Sequence, residues 1–293
     1  MRWREWTAFT VLCLWPASRW LTDPAVDAPP ALQRQAVGFI AIALSAIIFS
    51  LRKSGPRRAY LNGRMVAFGS LFYFSLPAVL LEHAREYASD VTVSTIFAIA
   101  PVVVLLVWGT VSREGLRPGR LMLPLAGLAG VLLLLPYEPP ESARGWESFA
   151  ELVFAMMLVA YASVRMNEWL KKPTFAESLV LIGAVNALAL LGFSLARGTA
   201  AWRLNAWNEG ALIATAPDVA LMLLTIWLLR AMNPVHFSAR FLAVPLVTIL
   251  EGLVLVRPGV SVRLLTGMGL LAAAVIGLLA SRQTVDDEVP TLR

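Results

Sequence analysis

The chain has 293 residues, of which 58% are hydrophobic and only 15% are charged, where a soluble domain is about a quarter charged. Its net charge is +6, but the basic residues lie in short segments between apolar runs, a use of Lys and Arg that sets membrane topology rather than binding nucleic acid. A single cysteine, Cys13, excludes an intrachain disulfide, and with only two histidines no transition-metal site is expected. The composition predicts an all-α polytopic membrane protein.

The apolar runs predict ten transmembrane helices. Their ranges are 6–18, 35–51, 65–81, 91–112, 121–137, 148–164, 178–196, 210–229, 238–257 and 264–281. The first run is short for a hydrocarbon core of ~30 Å, and a secretory signal is the alternative interpretation. Pro16, Arg19 and the lack of an Ala-x-Ala cleavage site favour a short helix extended by interfacial tryptophans.

The distribution of Lys and Arg predicts the orientation of these helices. With ten spans, one side of the membrane carries 16 of these residues and the other side carries 8. The positive-inside rule then places both termini in the cytoplasm, as a multi-pass protein of the cell (inner) membrane.

The ninth run, 238–257, contains the charges that are most unusual for a membrane span. Arg240 and Glu251 are eleven positions apart, which returns to nearly the same helix face, and Thr248 lies on that side as well. A charge in the bilayer costs roughly 3 kcal/mol on insertion scales, so both charges are candidates for a solute or proton site. The alternatives are an ion pair between helices for Glu251 and an interfacial position for Arg240.

Other polar and aromatic residues in predicted spans are weaker candidates for the same site. Asp218 follows Pro217 in the eighth run, where the pair could also mark a helix start. Tyr73 and Trp15 are candidates for the wall of a cavity, although aromatic residues in spans more often serve packing or the interfacial belt. Asn186 is expected to form a hydrogen bond between helices.

The two halves of the chain share a weak repeat. Pro101 and Pro245 each interrupt an apolar run, and each is followed by Arg-Pro-Gly, at 117–119 and 257–259, and then by a glycine-containing helix. We expect the two prolines to break their helices. An odd number of spans per half requires the second half to be inverted relative to the first. The predicted units are a first repeat at 1–140, an inverted repeat at 141–283 and a polar, disordered tail at 284–293.

The segment REYASDVTVSTIFAIAPVVVLLVWGTVSREGLRPGRLMLPLAGLAGVLLLL resembles the EamA-type, ten-helix members of the drug/metabolite transporter superfamily. The matching positions in the first half are Pro101, Glu114, Gly127 and Gly130. In the second half Pro245 matches, whereas the acidic residue, Glu251, lies inside the span. The resemblance implies two inverted five-helix repeats around a central cavity through which metabolites pass.

We therefore expect a secondary transporter that exports a small polar or amphipathic metabolite by alternating access. Its expected partners are that solute and the lipid bilayer, with a homodimer left open, and we expect neither a cofactor nor a metal nor nucleic acid. The enzyme motifs that we sought are lacking, so no catalytic residues are assigned. The alternatives are a membrane-embedded lipid-handling protein or enzyme with an unrecognised site, and a scaffold subunit. A polar cavity containing Glu251, Arg240 or Asp218 would favour transport.

Overall fold

The protein is described by a computed structural model over residues 3–21, 29–51, 63–111, 118–135, 137, 139–196, 207, 209–257, 259 and 261–281. Regular structure within these ranges is entirely helical. Glu114 and the 284–293 tail lie outside the described residues.

The residues that the structure describes form ten helical segments. They are α1 (Trp3–Ala17, continued by a 3-10 turn at Ser18–Leu21), α2 (Ala31–Leu51), α3 (Gly63–Ala84), α4 (Asp90–Val111), α5 (Pro118–Leu134), α6 (Ala143–Trp169), α7 (Phe175–Ala196), α8 (Glu209–Ala231), α9 (Pro234–Leu255) and α10 (Val262–Ala280).

Seven of these segments are long and apolar enough to cross a membrane, counted over the described residues: α2, α3, α4, α6, α7, α9 and α10. The α5 helix is apolar but shorter. The prediction of an all-helical, membrane-compatible protein is therefore confirmed. Ten transmembrane helices and their arrangement as inverted repeats stay predictions.

Three of the helices contain local irregularities. In α3 the turn Leu71–Ser75 is a π-helix, in which the N–H of Leu76 donates to the carbonyl of Leu71. The α4 segment is interrupted at residues 98–99, just before Pro101, and α9 is interrupted at Ala239. The prediction that Pro245 breaks its helix is wrong, because Arg240–Leu255 continues through it. A proline removes one hydrogen bond, and the flanking bonds of an apolar helix can hold the segment together.

The two largest helix interfaces join α2 to α7 and α5 to α10. Both depend on glycine. A Cβ atom at Gly183 of α7 would lie 2.7 Å from the carbonyl oxygen of Phe39 in α2, and one at Gly130 of α5 would lie 2.7 Å from the carbonyl oxygen of Gly267 in α10. Backbones approach this closely in membrane proteins because glycine has no side chain.

The α5 and α10 helices are antiparallel. Leu123, near the start of α5, packs against Gly277 near the end of α10, whereas Leu134 at the end of α5 packs against Gly267 near the start of α10. The contacts thus run in opposite directions along the two helices.

Buried polar side chains join helices in the interior. The amide of Asn186 in α7 donates to Ser70 Oγ at 2.9 Å, and its oxygen accepts from Ser75 Oγ at 2.6 Å, both in α3. The prediction that Asn186 bonds between helices is confirmed. Asn167 of α6 donates to the carbonyl oxygens of Leu229 and Met232 at 2.8 and 2.7 Å, which fixes the end of α8.

Candidate functional site

A cavity of 530 Å³ lies between α1, α2, α3, α4, α8 and α9. Its volume is in the range of small-molecule sites, about 300–1,000 Å³. Among the residues that the structure describes, five charged side chains line it: Arg19, Arg34, Arg85, Asp218 and Arg240. These four guanidinium groups and one carboxylate give the described part of the wall an excess of positive charge.

The cavity extends from one end of the helix bundle toward its middle. Arg19 follows the end of α1, Arg34 lies in the first turns of α2, and Arg85 directly follows α3. The deepest cation is Arg240, whose guanidinium donates a hydrogen bond to the hydroxyl of Tyr73 in the middle of α3. Arg85 and Tyr73 are twelve residues apart on one helix, or about 18 Å along its axis at 1.5 Å per residue.

Aromatic rings surround the guanidinium of Arg240. Its Cζ lies 4.2 Å from the ring centroid of Phe237, 4.6 Å from that of Phe241 and 5.7 Å from that of Tyr73. Each such contact contributes about 0.5–2 kcal/mol, depending on how far the pair is desolvated. The aromatic faces and the phenol oxygen stabilise the cation without neutralising its charge. Among the described residues, no carboxylate lies within 4 Å of Arg240.

The π-helical turn of α3 places Tyr73 against Arg240. The Tyr73 side chain is 5% exposed, and its ring packs edge to face on Phe74 with centroids 4.6 Å apart. Phe74 lines the cavity, whereas Tyr73 reaches the site through Arg240. A π-turn often occurs at functional positions in helices because it rotates the side chains that follow it.

Asp218 is the single acidic residue on the described wall. One of its carboxylate oxygens lies 3.5 Å from a guanidinium nitrogen of Arg19, and the Asp218 side chain is 18% exposed. The alternative interpretation of Pro217 and Asp218 as a helix start is wrong, because Glu209–Ala231 is one continuous helix. The Arg19 pair offsets the charge of Asp218 on the wall.

Glu251 and Thr248 join α9 to the end of α1 and lie outside the described cavity wall. The hydroxyl of Ser18 donates to Glu251 Oε1 at 2.5 Å. The Thr248 hydroxyl is 3.4 Å from the carbonyl oxygen of Ala17 and 3.1 Å from that of Val244. Arg240 thus faces this cavity, whereas the Glu251 carboxylate contacts the end of α1. A role of either residue in solute binding stays a prediction.

Trp15 and the two prolines occupy different surroundings. Trp15 is 48% exposed on the outside of the bundle, so it does not belong to the described cavity wall. Pro245 lines the cavity, and Pro101 is buried in α4. Neither proline can donate to the carbonyl four residues before it, which belongs to Phe97 or Phe241. The rings of these two phenylalanines contact each other at 5.7 Å and both line the cavity.

Several residues of the cavity wall were not identified as site candidates from the sequence. Arg19, Arg34 and Arg85 look like ordinary loop charges, although all three fall on the side that the positive-inside rule leaves poor in basic residues. That placement was the available signal. Hydroxyl and amide groups on Ser94, Thr225 and Gln35 also line the cavity. Their sequence neighbourhoods carry no signal for a site.

In the part of the chain that the structure describes, no three His, Cys, Asp or Glu side chains form a metal-binding cluster.

Comparisons with known proteins find a similar fold but no matching family. No family model matches the chain, and no curated protein matches it. One similar solved structure, described only as "Crystal structure of protein", is 20% identical in sequence with a TM-score of 0.68, covering 93% of this chain and 96% of that chain. At this identity the likeness concerns the fold alone. The class that the fold defines is an all-helical protein with several membrane-compatible helices.

Proposed function

We propose that this chain is a secondary transporter that moves a small polar or amphipathic solute by alternating access between two inverted five-helix repeats. The observation that carries the proposal is the cavity of 530 Å³ that contains Arg240 and Asp218. Its wall combines residues before position 140, such as Arg34, with residues after it, such as Arg240. A site between two repeats can open alternately when one repeat rocks against the other.

Residue pairs with a constant separation support the repeat. Pro101 and Pro245 are 144 positions apart, and the same separation relates Phe97 to Phe241. Two residues related by a two-fold axis touch each other only near that axis, and the rings of Phe97 and Phe241 do so. Phe39 and Gly183 have the same separation, and a Cβ atom at Gly183 would lie 2.7 Å from the Phe39 carbonyl oxygen. These contacts favour a pseudo-two-fold axis that passes between α2 and α7 and between α4 and α9.

The pattern of helix interfaces also supports an inverted repeat. An inverted repeat exchanges α1 with α6, α2 with α7, α3 with α8, α4 with α9, and α5 with α10. The contact of α3 with α6 then corresponds to that of α8 with α1, and the contact of α4 with α6 to that of α9 with α1; all four occur. The antiparallel pairing of α5 with α10 is also what inversion requires of two equivalent helices.

The depth of Arg240 favours a solute cavity over the lipid-handling alternative. A site for lipid headgroups would place its charged groups at the ends of the helices. Arg240 instead bonds to Tyr73, ten residues from the start of α3 and eleven from its end. Groups near the middle of the spans are accessible to a solute that enters a cavity from either side.

Transport can be tested in proteoliposomes loaded with a defined mixture of amino acids, organic acids and sugars, with release followed by mass spectrometry. We expect release of at least one solute above the rate in protein-free liposomes. Ser94→Trp should block this release by filling the cavity, whereas Ser94→Ala should preserve it. Equal thermal stability of the two variants would exclude misfolding as the cause. No release, or unimpaired release by Ser94→Trp, would contradict the proposal.

A further inference from the structure

We infer that the cavity binds small organic anions, with a carboxylate or phosphate group held by Arg240, an apolar body against the aromatic wall, and the charge of Arg34 adding to the attraction. The inference rests on the proposed function, because it names the class of solute that the same cavity takes.

The charge balance of the wall is the first argument. Of the four arginines, Arg19 lies beside Asp218, and Arg85 lies 3.7 Å from Asp90. Within the described residues, Arg34 and Arg240 have no carboxylate within 4 Å. The Arg34 Nε is buried and has no hydrogen-bond partner there. Two cations in one cavity with no counter-ion among the described side chains favour a negatively charged occupant over a neutral or positive one.

The environment of Arg240 is the second argument. Its guanidinium is held by the Tyr73 hydroxyl and by the faces of Phe237 and Phe241. None of these groups carries a negative charge, and guanidinium has more N–H donors than one phenol oxygen can accept. The planar set of donors matches the two oxygens of a carboxylate or phosphate. Arg240 is thus positioned and charged, with donor capacity left for a ligand.

The apolar side chains of the cavity wall indicate that the rest of the ligand is apolar as well. Phe74, Phe97, Phe241, Met222 and Val244 contribute apolar surface, and Ser94 contributes a hydroxyl. A fully hydrated inorganic ion would leave this surface unused. An aromatic or branched acid would contact it, and its charged group would lie against the guanidinium of Arg240.

Equilibrium dialysis of the detergent-solubilised protein tests the inference with radiolabelled phenylacetate, phenyl phosphate and neutral phenylacetamide. We expect at least one anion to bind about tenfold or more tightly than phenylacetamide, since charge-assisted hydrogen bonds are roughly twice as strong as neutral ones. The preferred anion identifies the head group as carboxylate or phosphate. Equal or weaker binding of both anions relative to phenylacetamide, including no binding of any probe, would overturn the inference.

Substitutions of single arginines test where in the cavity the anion binds. Arg240→Gln should weaken binding of the preferred anion about tenfold and leave that of phenylacetamide unchanged, and Arg34→Gln should do the same to a smaller extent. Arg4→Gln removes an equal charge from an exposed position at the start of α1 and should have no effect. If Arg240→Gln fails to fold, Arg34→Gln and the ligand series on the unmodified protein decide the question. Equal losses for the anion and for phenylacetamide would contradict recognition by charge.

The same probes separate this inference from the transport proposal. Anion binding without flux of the bound anion in proteoliposomes would refute transport of that anion and leave the anion site intact. Flux of neutral or cationic solutes without any preference for anions would refute the anion site and leave transport intact.

Discussion

The guanidinium of Arg240 in α9 donates a hydrogen bond to the hydroxyl of Tyr73 in the π-helical turn of α3. The two residues are 167 positions apart and belong to opposite halves of the chain. The bond fixes the deepest cation of the cavity against a helix that carries no charge of its own at that level. It therefore couples the geometry of the candidate site to the contact between the two halves.

Removal of the Tyr73 hydroxyl should make the Arg240 side chain less well fixed without leaving a cavity in the core. Tyr73→Phe keeps the ring packed on Phe74, but it removes an acceptor from a charged donor, a loss of about 1.5–3 kcal/mol if nothing replaces it. Because guanidinium can find other acceptors, we expect about three- to tenfold weaker binding of the preferred anion by equilibrium dialysis. Tyr161→Phe removes an exposed hydroxyl from α6 and is the control. Unchanged affinity in Tyr73→Phe would mean that Arg240 is positioned by the rings alone.

The bond between Ser18 and Glu251 should stabilise the packing of α1 on α9. Ser18→Ala and Glu251→Ala should each lower the thermal midpoint, and the double variant should be no less stable than Glu251→Ala, with a coupling of about 1–3 kcal/mol. Thermal unfolding in detergent measures all three variants. Anion binding should stay unchanged in Glu251→Gln, since Glu251 lies outside the described cavity wall. A stable Glu251→Gln protein that had lost binding or flux would return Glu251 to the mechanism.

Two glycines of α7 offer a matched test of the α2–α7 interface. A Cβ atom at Gly183 would lie 2.7 Å from the Phe39 carbonyl oxygen and 2.9 Å from the Ala43 nitrogen, whereas one at Gly192 meets nothing within 4 Å. Gly183→Ala should therefore lower stability by about 1–3 kcal/mol because backbone atoms must move apart. Gly192→Ala should be neutral or slightly stabilising, because alanine favours helix over glycine by roughly 1 kcal/mol. Equal thermal midpoints for the two variants would contradict the close packing.

The predicted orientation can be tested at the connection between α5 and α6. Glu141 is exposed, whereas the hydroxyl of the neighbouring Ser142 caps α6 by accepting from the N–H of Gly145 at 3.0 Å. A Glu141→Cys variant in a Cys13→Ser background should react with an impermeant thiol reagent added to intact cells, if both termini are cytoplasmic. The Cys13→Ser protein alone is the control. Labelling only after lysis would contradict the ten-helix count or its orientation.

The sequence by itself determined the class of structure, because it contains long apolar runs and few charges. In a bilayer the backbone N–H and C=O groups of such runs must bond to each other, and an α-helix satisfies them within one segment. It also located Arg240 and Asp218, since a charge inside an apolar run is visible without coordinates. Asn186 was recognisable for the same reason. Helix periodicity predicted that Arg240, Thr248 and Glu251 lie along one segment, but it did not indicate which other helices each side chain contacts.

Only the tertiary structure decided which of these groups face a common space. Glu251 and Arg240 lie about 16 Å apart along one continuous helix. At these two levels the helix has different neighbours, since Arg240 contacts Tyr73 of α3 and Glu251 contacts Ser18 after α1. Arg34 resembles an ordinary loop charge until α2, α3, α8 and α9 assemble around it. The π-turn from which Tyr73 contacts Arg240 was not predicted from the local sequence; it packs against α6 and α7. The charge balance of a cavity is a sum over residues far apart in the chain, so it exists only once the helices have packed.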